Sequence, residues 1–357
     1  MGKILWLTAI EPSKLNIGGP SGLPWEIVRQ LRDMGYDVTV EVVEIHNPFL
    51  LRLSRLGIFI SKCNSNLDDY DRILVYPDFM ANYVPYKYWN KTISMGPDAS
   101  SFVMARMCRI GVGWRKLKFG IYMKIQRYNE GSWMKGLRRV CVVGKNDKRW
   151  LLIHSIMKNK VFFLVHPFLS NSLIDISSLQ PVLNTKKRFV FAGDLSSYYV
   201  GYFFDELLLY IKGTDESLSI LVVGKRNRWV YDILKRADNC VVKYVSWVDD
   251  YRDICVLGQD VHCVPMFAGG GTKNRVLTTL ANGLEVLTTP IGLENIYHDG
   301  VEGIHICKNA SSFANAMMEI ARHDVTYDEM DRLLLSRRKF RIDVDNRFKR
   351  SLGELLK

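Results

Sequence analysis

The 357-residue sequence has no CxxC pair and no Cys/His cluster with metal-ligand spacing; its seven cysteines are scattered. That excludes a zinc ribbon or a dithiol redox motif, and the thiols are expected to be free and mostly buried in a reducing compartment. No stretch approaches 18 consecutive apolar residues, so no membrane-spanning helix is expected. The opening run MGKILWLTAI is too short for a secretory signal and is expected to be a first strand. GxxxxGK[ST] is absent, which excludes a Walker A site. Aspartate pairs at 68–69 and 249–250 are expected in surface turns or caps rather than in a metal-binding loop. No 20-to-50-residue repeat and no low-complexity tract occurs.

Acidic residues are scarce in one place above all. Net charge is +12, and between Arg106 and Arg149 there are 13 Lys/Arg against only Glu130 and Asp147. An even spread would speak only of solubility; this concentration implies an anionic surface as partner. Apolar content of 48% and charged content of 24% are those of a soluble globular protein. The chain is too long for one ordinary core, so two domains are expected.

KILWLTAI is a buried-strand run, followed by a glycine-rich turn and helix in NIGGPSGLPWEIVRQLRDMG and a strand in YDVTVEVVEI. This β-loop-α-β unit opens a doubly wound sheet. RILVYP, KTISMGPD and RRVCVVG are further strands, with a helix over 114–130. Trp114, Leu117, Ile121, Ile125 and Tyr128 share one face of that helix; Arg115, Lys116, Lys118 and Arg127 lie to its sides, and Lys124 falls within the stripe. After VFFLVHPFLSN and the connector SSLQPVLNTKK the alternation restarts: strand RFVFAGD, helix 200–212, strand LSILVVG, helix 227–237, then CVVKYVSWVDD passing into a helix from about 249. Strand DVHCVP, helix 273–282, strands EVLTTP and IHICKN and helix 311–322 complete it. The expected fold is α/β, two Rossmann-like doubly wound domains facing a cleft: residues 1–166, residues 167–330, and a basic helical tail, 331–357, returning to the first domain.

In FAGGGTKNRVLTTLANGLEVLTTPIG, residues 267–292, three glycines run into Thr272 and Lys273 at the start of a helix. Glycine lets backbone N–H groups approach an anion closely, and the helix's first turn adds unpaired N–H groups and a positive dipole end. With Lys273 and Arg275 as mobile cations, this is a phosphate cradle; the alternative is a tight strand-to-helix turn.

VPMFAGGGTKNRVLTTLANGLEVLTTPIGLENI resembles the donor-sugar segment of GT-B glycosyltransferases, especially retaining family four: a Pro, a Gly-rich loop, Lys or Arg, a helix ending A-x-G, then TTPIG. RFVFAGD, LSILVVGK and YVSWVDDYRDICVLGQDVHCVP resemble, in the expected order, the strand opening the second domain, the strand after its first helix, and the segment where the nucleobase sits. IGGPSGLPWEIVRQLRDMGYDVTV is similar to the usual N-terminal unit. MGPDASS, the basic helix and LRRVCVVGKNDKRWL resemble exopolysaccharide-type members. The likeness covers most of the chain but departs at two points. The family's two glutamates, spaced E-x7-E, are missing: Thr278 stands at the ribose-contacting position and the earlier one falls near Gly270. An Arg/Lys pair expected just after Gly193 is also missing.

The resemblance implies a nucleotide-sugar donor, a glycan or lipid-linked acceptor, and hexosyl transfer in surface polysaccharide synthesis, retaining rather than inverting. It implies no metal and no cofactor, because cations and helix N-termini neutralise the leaving diphosphate. Donor-side candidates are Gly193, Lys225, Arg226, Trp247 beside the base, Gly270, Gly271, Thr272, Lys273, Arg275, Thr278 and Glu294. On the acceptor side are Gly18 and Gly19, which follow the first strand. Asp98, at a strand end, is either the catalytic base of an inverting reaction or a helix N-cap. His46, His154 and His166 are weaker candidates. Segment 106–149 would rest on anionic headgroups, placing a cytoplasmic enzyme peripherally on the inner face of the cell membrane; alternatively, its apolar stripe covers the sheet. The missing glutamates keep open a noncatalytic GT-B module that binds a nucleotide sugar or a partner transferase. An epimerase relative is a further alternative. Nucleic acid is not expected, since no RNP, zinc-finger or helix-turn-helix signature occurs.

Overall fold

The apolar runs become strands, and within each sheet every neighbouring pair is parallel. The computed structural model describes residues 2–14, 21–45, 47–55, 58, 63–132, 134–154, 159–177, 179–183 and 185–357. The chain divides into two units, Met1–Asn171 with Val344–Lys357, and Ser172–Asp343. The first unit thus runs past residue 166, and the division on the C-terminal side falls at 343/344.

In the first unit, β1 (Lys3–Thr8), β2 (Asp37–Val42), β3 (Arg72–Tyr76), β4 (Thr92–Met95), β5 (Arg139–Val142) and β6 (Val161–Phe163) lie in the order β2-β1-β3-β4-β5-β6. Its helices are α1 (Gly22–Asp33), α2 (Pro48–Arg55), α3 (Ser100–Ile110), α4 (Trp114–Ser132) and α5 (Lys145–His154). Leu5, Leu7, Ile73, Val75 and Val140 are sealed from solvent, with Trp89 packed among them and its indole N–H donating to Val84 O at 2.8 Å. Strands covered on both faces need continuous apolar runs, as β1 (KILWLT) and β3 (RILVY) show, whereas the edge strand β2 (DVTVEV) alternates.

The second unit repeats the plan. Its strands are β7 (Arg188–Ala192), β8 (Leu218–Val223), β9 (Cys240–Val245), β10 (Asp260–Val264), β11 (Glu285–Thr288) and β12 (Ile304–Ile306), ordered β12-β11-β10-β7-β8-β9. Its helices are α6 (Ser197–Val200), α7 (Phe203–Ile211), α8 (Arg228–Leu234), α9 (Asn274–Ala281) and α10 (Ala310–Arg322), and the long α11 (Tyr327–Leu356) crosses the division between units. The segment after 249 forms a single 3-10 turn, Tyr251–Ile254, not the longer helix expected; Asp250 caps its start by accepting from Arg252 N at 2.8 Å. Phe191, Phe203, Phe204 and Phe313 meet edge-to-face, with Phe203 and Phe313 centroids 5.0 Å apart. Each such buried side chain contributes about 1.5–3 kcal/mol.

Both sheets reverse direction at the strand that opens them. β1 lies between β2 and β3, and β7 between β8 and β10. The connections leaving either side of that point diverge to opposite faces, which leaves a crevice at the carboxyl ends of the strands. Among the described residues no helix is long and apolar enough to cross a membrane.

Candidate functional site

Parallel pairing puts five loops of the second unit on one edge: Gly193 after β7, Gly224–Arg226 after β8, Trp247 after β9, Ala268–Lys273 after β10 and Thr289–Glu294 after β11. Side chains the sequence reading passed over tie these loops together. Buried Asn227 donates to Gly193 O at 2.7 Å and Val223 O at 2.6 Å and accepts from Leu195 N at 3.3 Å, coupling the turns after β7 and β8. Phe267 N donates to Tyr199 O at 2.8 Å, tying the loop after β10 to α6. Thr288 Oγ1 donates to Val264 O at 2.8 Å and Thr289 Oγ1 to Met266 O. A Cβ on Gly292 would lie 2.1 Å from Thr288 Oγ1, so TTPIG closes against β10 only with glycine there. Nothing in the sequence marked these threonines as braces, because a β-branched threonine is an ordinary strand residue.

Gly269 and Gly271 hold left-handed backbone, φ +108° and +58°. Lys273, expected as a mobile cation, is instead buried, its Nζ donating to Gly270 O and, at 3.4 Å, to Gly271 O. Asn295, itself left-handed at φ 69°, donates to Gly271 O at 2.7 Å. The glycine loop is therefore braced from two sides, with a positive charge sealed against it. Lys273 is the N-cap residue of α9, so the unpaired N–H groups of the first helical turn begin directly after it. Thr272 lies between, half-buried.

The remaining candidates separate. Lys225 and Arg226 are exposed in a 3-10 turn at this edge. Trp247 is 64% exposed, its indole donating to Asp249 at 3.1 Å, so it is no core residue. Glu294 is half-buried beyond Gly292. Thr278 is buried within α9. Arg275 makes its contact with Tyr251, whose ring centre lies 5.5 Å away, and its Nε and Nη2 are buried without hydrogen-bond partners. It packs on the segment between β9 and β10, a correction to its expected role as a mobile cation. Burial and then the Arg275 charge hold His262 beneath it well below the usual histidine range.

In the first unit, Gly18, Gly19 and His46 lie outside the described residues. Asp98 is not a helix cap: Ala99 is the N-cap of α3, and the caps are carboxylates from elsewhere. Ala99 N donates to Asp147 at 2.9 Å; Ser101 N donates to Glu130 at 2.9 Å, and Ser101 Oγ to the other Glu130 oxygen. Trp150 completes the chain by donating to Ser101 Oγ at 2.7 Å. Burial pushes the Glu130 carboxyl up to about 7, against the Ser101 bonds, with Asp78 and Asp147 adding to the rise. Asp98 instead lines a cavity of about 310 Å3 with Asp78, Ser100, Gln126, Phe79 and Met104. His166 is buried, its ring pushed down to about 4 by burial, and His154 stacks edge-on against Trp150. Both are structural.

Helix α4 overturns the expectation that its stripe could cover the sheet. Trp114 and Tyr128 are 73% and 75% exposed, and Leu117, Ile121 and Tyr122 are exposed as well. Among the described residues no group of three His, Cys, Asp or Glu could hold a metal ion.

Residues 186–323, the greater part of the second unit, match the family model described as Glycosyl transferases group 1. No curated protein matches the chain. Among solved structures, the chain is similar to a sucrose-phosphate synthase from Thermosynechococcus elongatus, with TM-score 0.65, 12% identity, and coverage of 99% of this chain and 98% of that one. It is also similar to HepE of Anabaena in complex with UDP-glucose (TM-score 0.61, 10% identity, 100% and 97% covered). A third likeness is to WaaG, a glycosyltransferase involved in lipopolysaccharide biosynthesis (TM-score 0.60, 11% identity, 98% and 97% covered). At these identities the structural likenesses establish the fold, GT-B, along the whole chain.

Proposed function

We propose that this glycosyltransferase moves a hexosyl group from a nucleotide sugar to a lipid-linked glycan in surface polysaccharide synthesis, with retention and without a metal. The single observation that carries the donor assignment is the braced glycine loop at the start of α9, on the edge where the sheet order reverses, inside the region that matches the family. There the bond between the anomeric carbon and the diphosphate breaks. The charge that develops on the leaving oxygen is met by the first-turn N–H groups of α9, by Lys273 through the loop it holds, and by Lys225 and Arg226. A bond forms to the acceptor oxygen, whose proton passes to the departing diphosphate; were the reaction inverting, Asp98 would take it. The UDP-glucose bound by the HepE relative supports a nucleotide-sugar donor, and the role of WaaG supports a polysaccharide product.

The test is thermal shift of wild type and Lys273→Ala with UDP-, GDP-, ADP- and CMP-sugars and no added metal. One nucleotide class is expected to raise the melting temperature of wild type and not of the variant. No response from any nucleotide in a folded protein would sink the reading. Thr278, buried at the position where the resemblance implies a glutamate, favours a second reading as a noncatalytic module. That reading predicts nucleotide stabilisation without release of nucleoside diphosphate in the presence of a glycan acceptor.

A further inference from the structure

The two sheets treat the cations at their amino edges differently. In the second unit, Lys187 and Arg188 each meet a carboxylate that opens another strand. Lys187, just before β7, reaches across β10 to Glu285, the first residue of β11, at 2.8 Å. Arg188, the first residue of β7, holds Asp260, the first residue of β10, with Nε at 2.6 Å and Nη2 at 2.7 Å.

In the first unit, the same edge carries Arg72, the first residue of β3, Arg139, the first residue of β5, and Arg138 just before it. Only β4 lies between those two strands. Among the described residues none of these three arginines forms an ion pair. Their hydrogen bonds go to main-chain carbonyls. Arg138 and Arg139 cap the end of α11 through Lys357 O at 3.1 Å and Glu354 O at 2.8 Å. Arg72 bonds Asp71 O at 2.8 Å, while the Asp71 carboxylate accepts from Lys3 N at 2.7 Å. Nε of Arg72 and Nε of Arg138 are buried and donate to no protein group, whereas the same atom of Arg188 holds Asp260.

The three charges also act on one another. Burial, then the Arg72 charge, pulls the Arg138 guanidinium below its ordinary value. Burial, then Arg138 and Arg72, does the same to Arg139. Mutually repelling guanidinia, two of them with an Nε–H that nothing in the protein accepts, favour an anion among them. A carboxylate would cancel one charge. A phosphate group carries more, and its several oxygens are what arginine forks take in pairs. All three side chains are half-buried, so each keeps contact with solvent.

We propose that Arg72, Arg138 and Arg139 bind a phosphate-bearing ligand at the amino edge of the first sheet, the edge opposite the crevice. The site is separate from the glycine loop and does not depend on the glycosyltransferase reading. The phosphate belongs to a free molecule or to a lipid headgroup, and the experiment separates these sources.

The experiment is hydrogen exchange of the full chain with and without pyrophosphate, followed by titration calorimetry. Pyrophosphate is expected to protect residues 69–76 and 137–142, resolved from any protection of residues 267–275. It is expected still to bind Lys273→Ala. Adding Arg72→Gln and Arg138→Gln to that protein should weaken binding by about tenfold for each guanidinium lost. Phosphatidylglycerol vesicles are tested on protein with Arg115, Lys116 and Lys118 changed to Gln, so that the cations of α4 contribute little. Vesicle binding that falls when Arg72 and Arg138 are also replaced identifies a headgroup; pyrophosphate binding without such a fall identifies a free phosphate ligand. Protection confined to residues 267–275, or an affinity of Lys273→Ala for pyrophosphate that the two arginine replacements leave unchanged, would overturn the proposal. Should the arginine variant not fold, the exchange map of the wild type decides alone.

Discussion

Lys273 shows how one side chain serves structure and chemistry together. Its ammonium satisfies the Gly270 and Gly271 carbonyls and keeps a positive charge at the start of α9. Replacing it with alanine therefore loosens the loop as well as removing the charge, and a loss of nucleotide affinity alone does not separate the two. Gly292→Ala does separate bracing from charge. The new Cβ would collide with Thr288 Oγ1 and disrupt the bond to Val264 O, so the variant is expected to lose about 1–3 kcal/mol in urea unfolding. Nucleotide binding should weaken although every cation is still present. Glu130 is one residue whose titration reaches stability. Its folded value, about 7, lies above the 4.5 of a free carboxyl, so protonation favours the folded state. That stabilisation is complete below about pH 4.5 and is lost as pH rises through 7. Buried His166 and His262 pull the other way over the same window, so the expected result is a difference: the urea midpoint of Glu130→Gln should rise relative to that of wild type as pH climbs from 4.5 to 7, and a constant difference would exclude Glu130.

At the scale of elements, α4 departs furthest from the behaviour of an α/β surface helix. Its aromatic and aliphatic stripe faces solvent, where burial on a sheet would have been stabilising. Exposed Trp, Tyr, Leu and Ile flanked by Arg115, Lys116, Lys118 and Arg127 is the composition of a helix lying in a membrane interface. The full chain is expected to co-sediment with vesicles containing anionic phospholipid and not with purely zwitterionic ones. Changing Arg115, Lys116 and Lys118 to Gln should weaken binding by roughly 100-fold, at about 1 kcal/mol per charge. Leu117→Glu should reduce it at high salt, where the apolar contribution is what remains. Equal sedimentation with both vesicle types would exclude a headgroup role.

For the whole molecule, the course of α11 matters most. Val344–Lys357 belongs to the first unit, where Val344, Phe348, Leu352 and Leu355 are buried and Arg139 donates to Glu354 O at 2.8 Å. Leu352→Ala should cost about 2–5 kcal/mol and lower hydrogen-exchange protection within residues 1–171, although the residue is far from them in sequence. Protection lost only within 172–343 would contradict that membership. Strand identity, the α/β class, the glycine loop and the basic helix were legible in the sequence, because they depend on local periodicity, turn chemistry and charge, which neighbouring residues carry among themselves. Asn227, Asn295 and the Thr288–Thr289 braces were not, since a polar side chain does not announce which distant carbonyl it will meet. Nor could spacing distinguish a mobile Arg275 from one packed on Tyr251, or a capping Asp98 from one lining a cavity. Those outcomes turn on which strand ends the sheet order brings side by side, and only the packing of parallel strands far apart in the chain decides that.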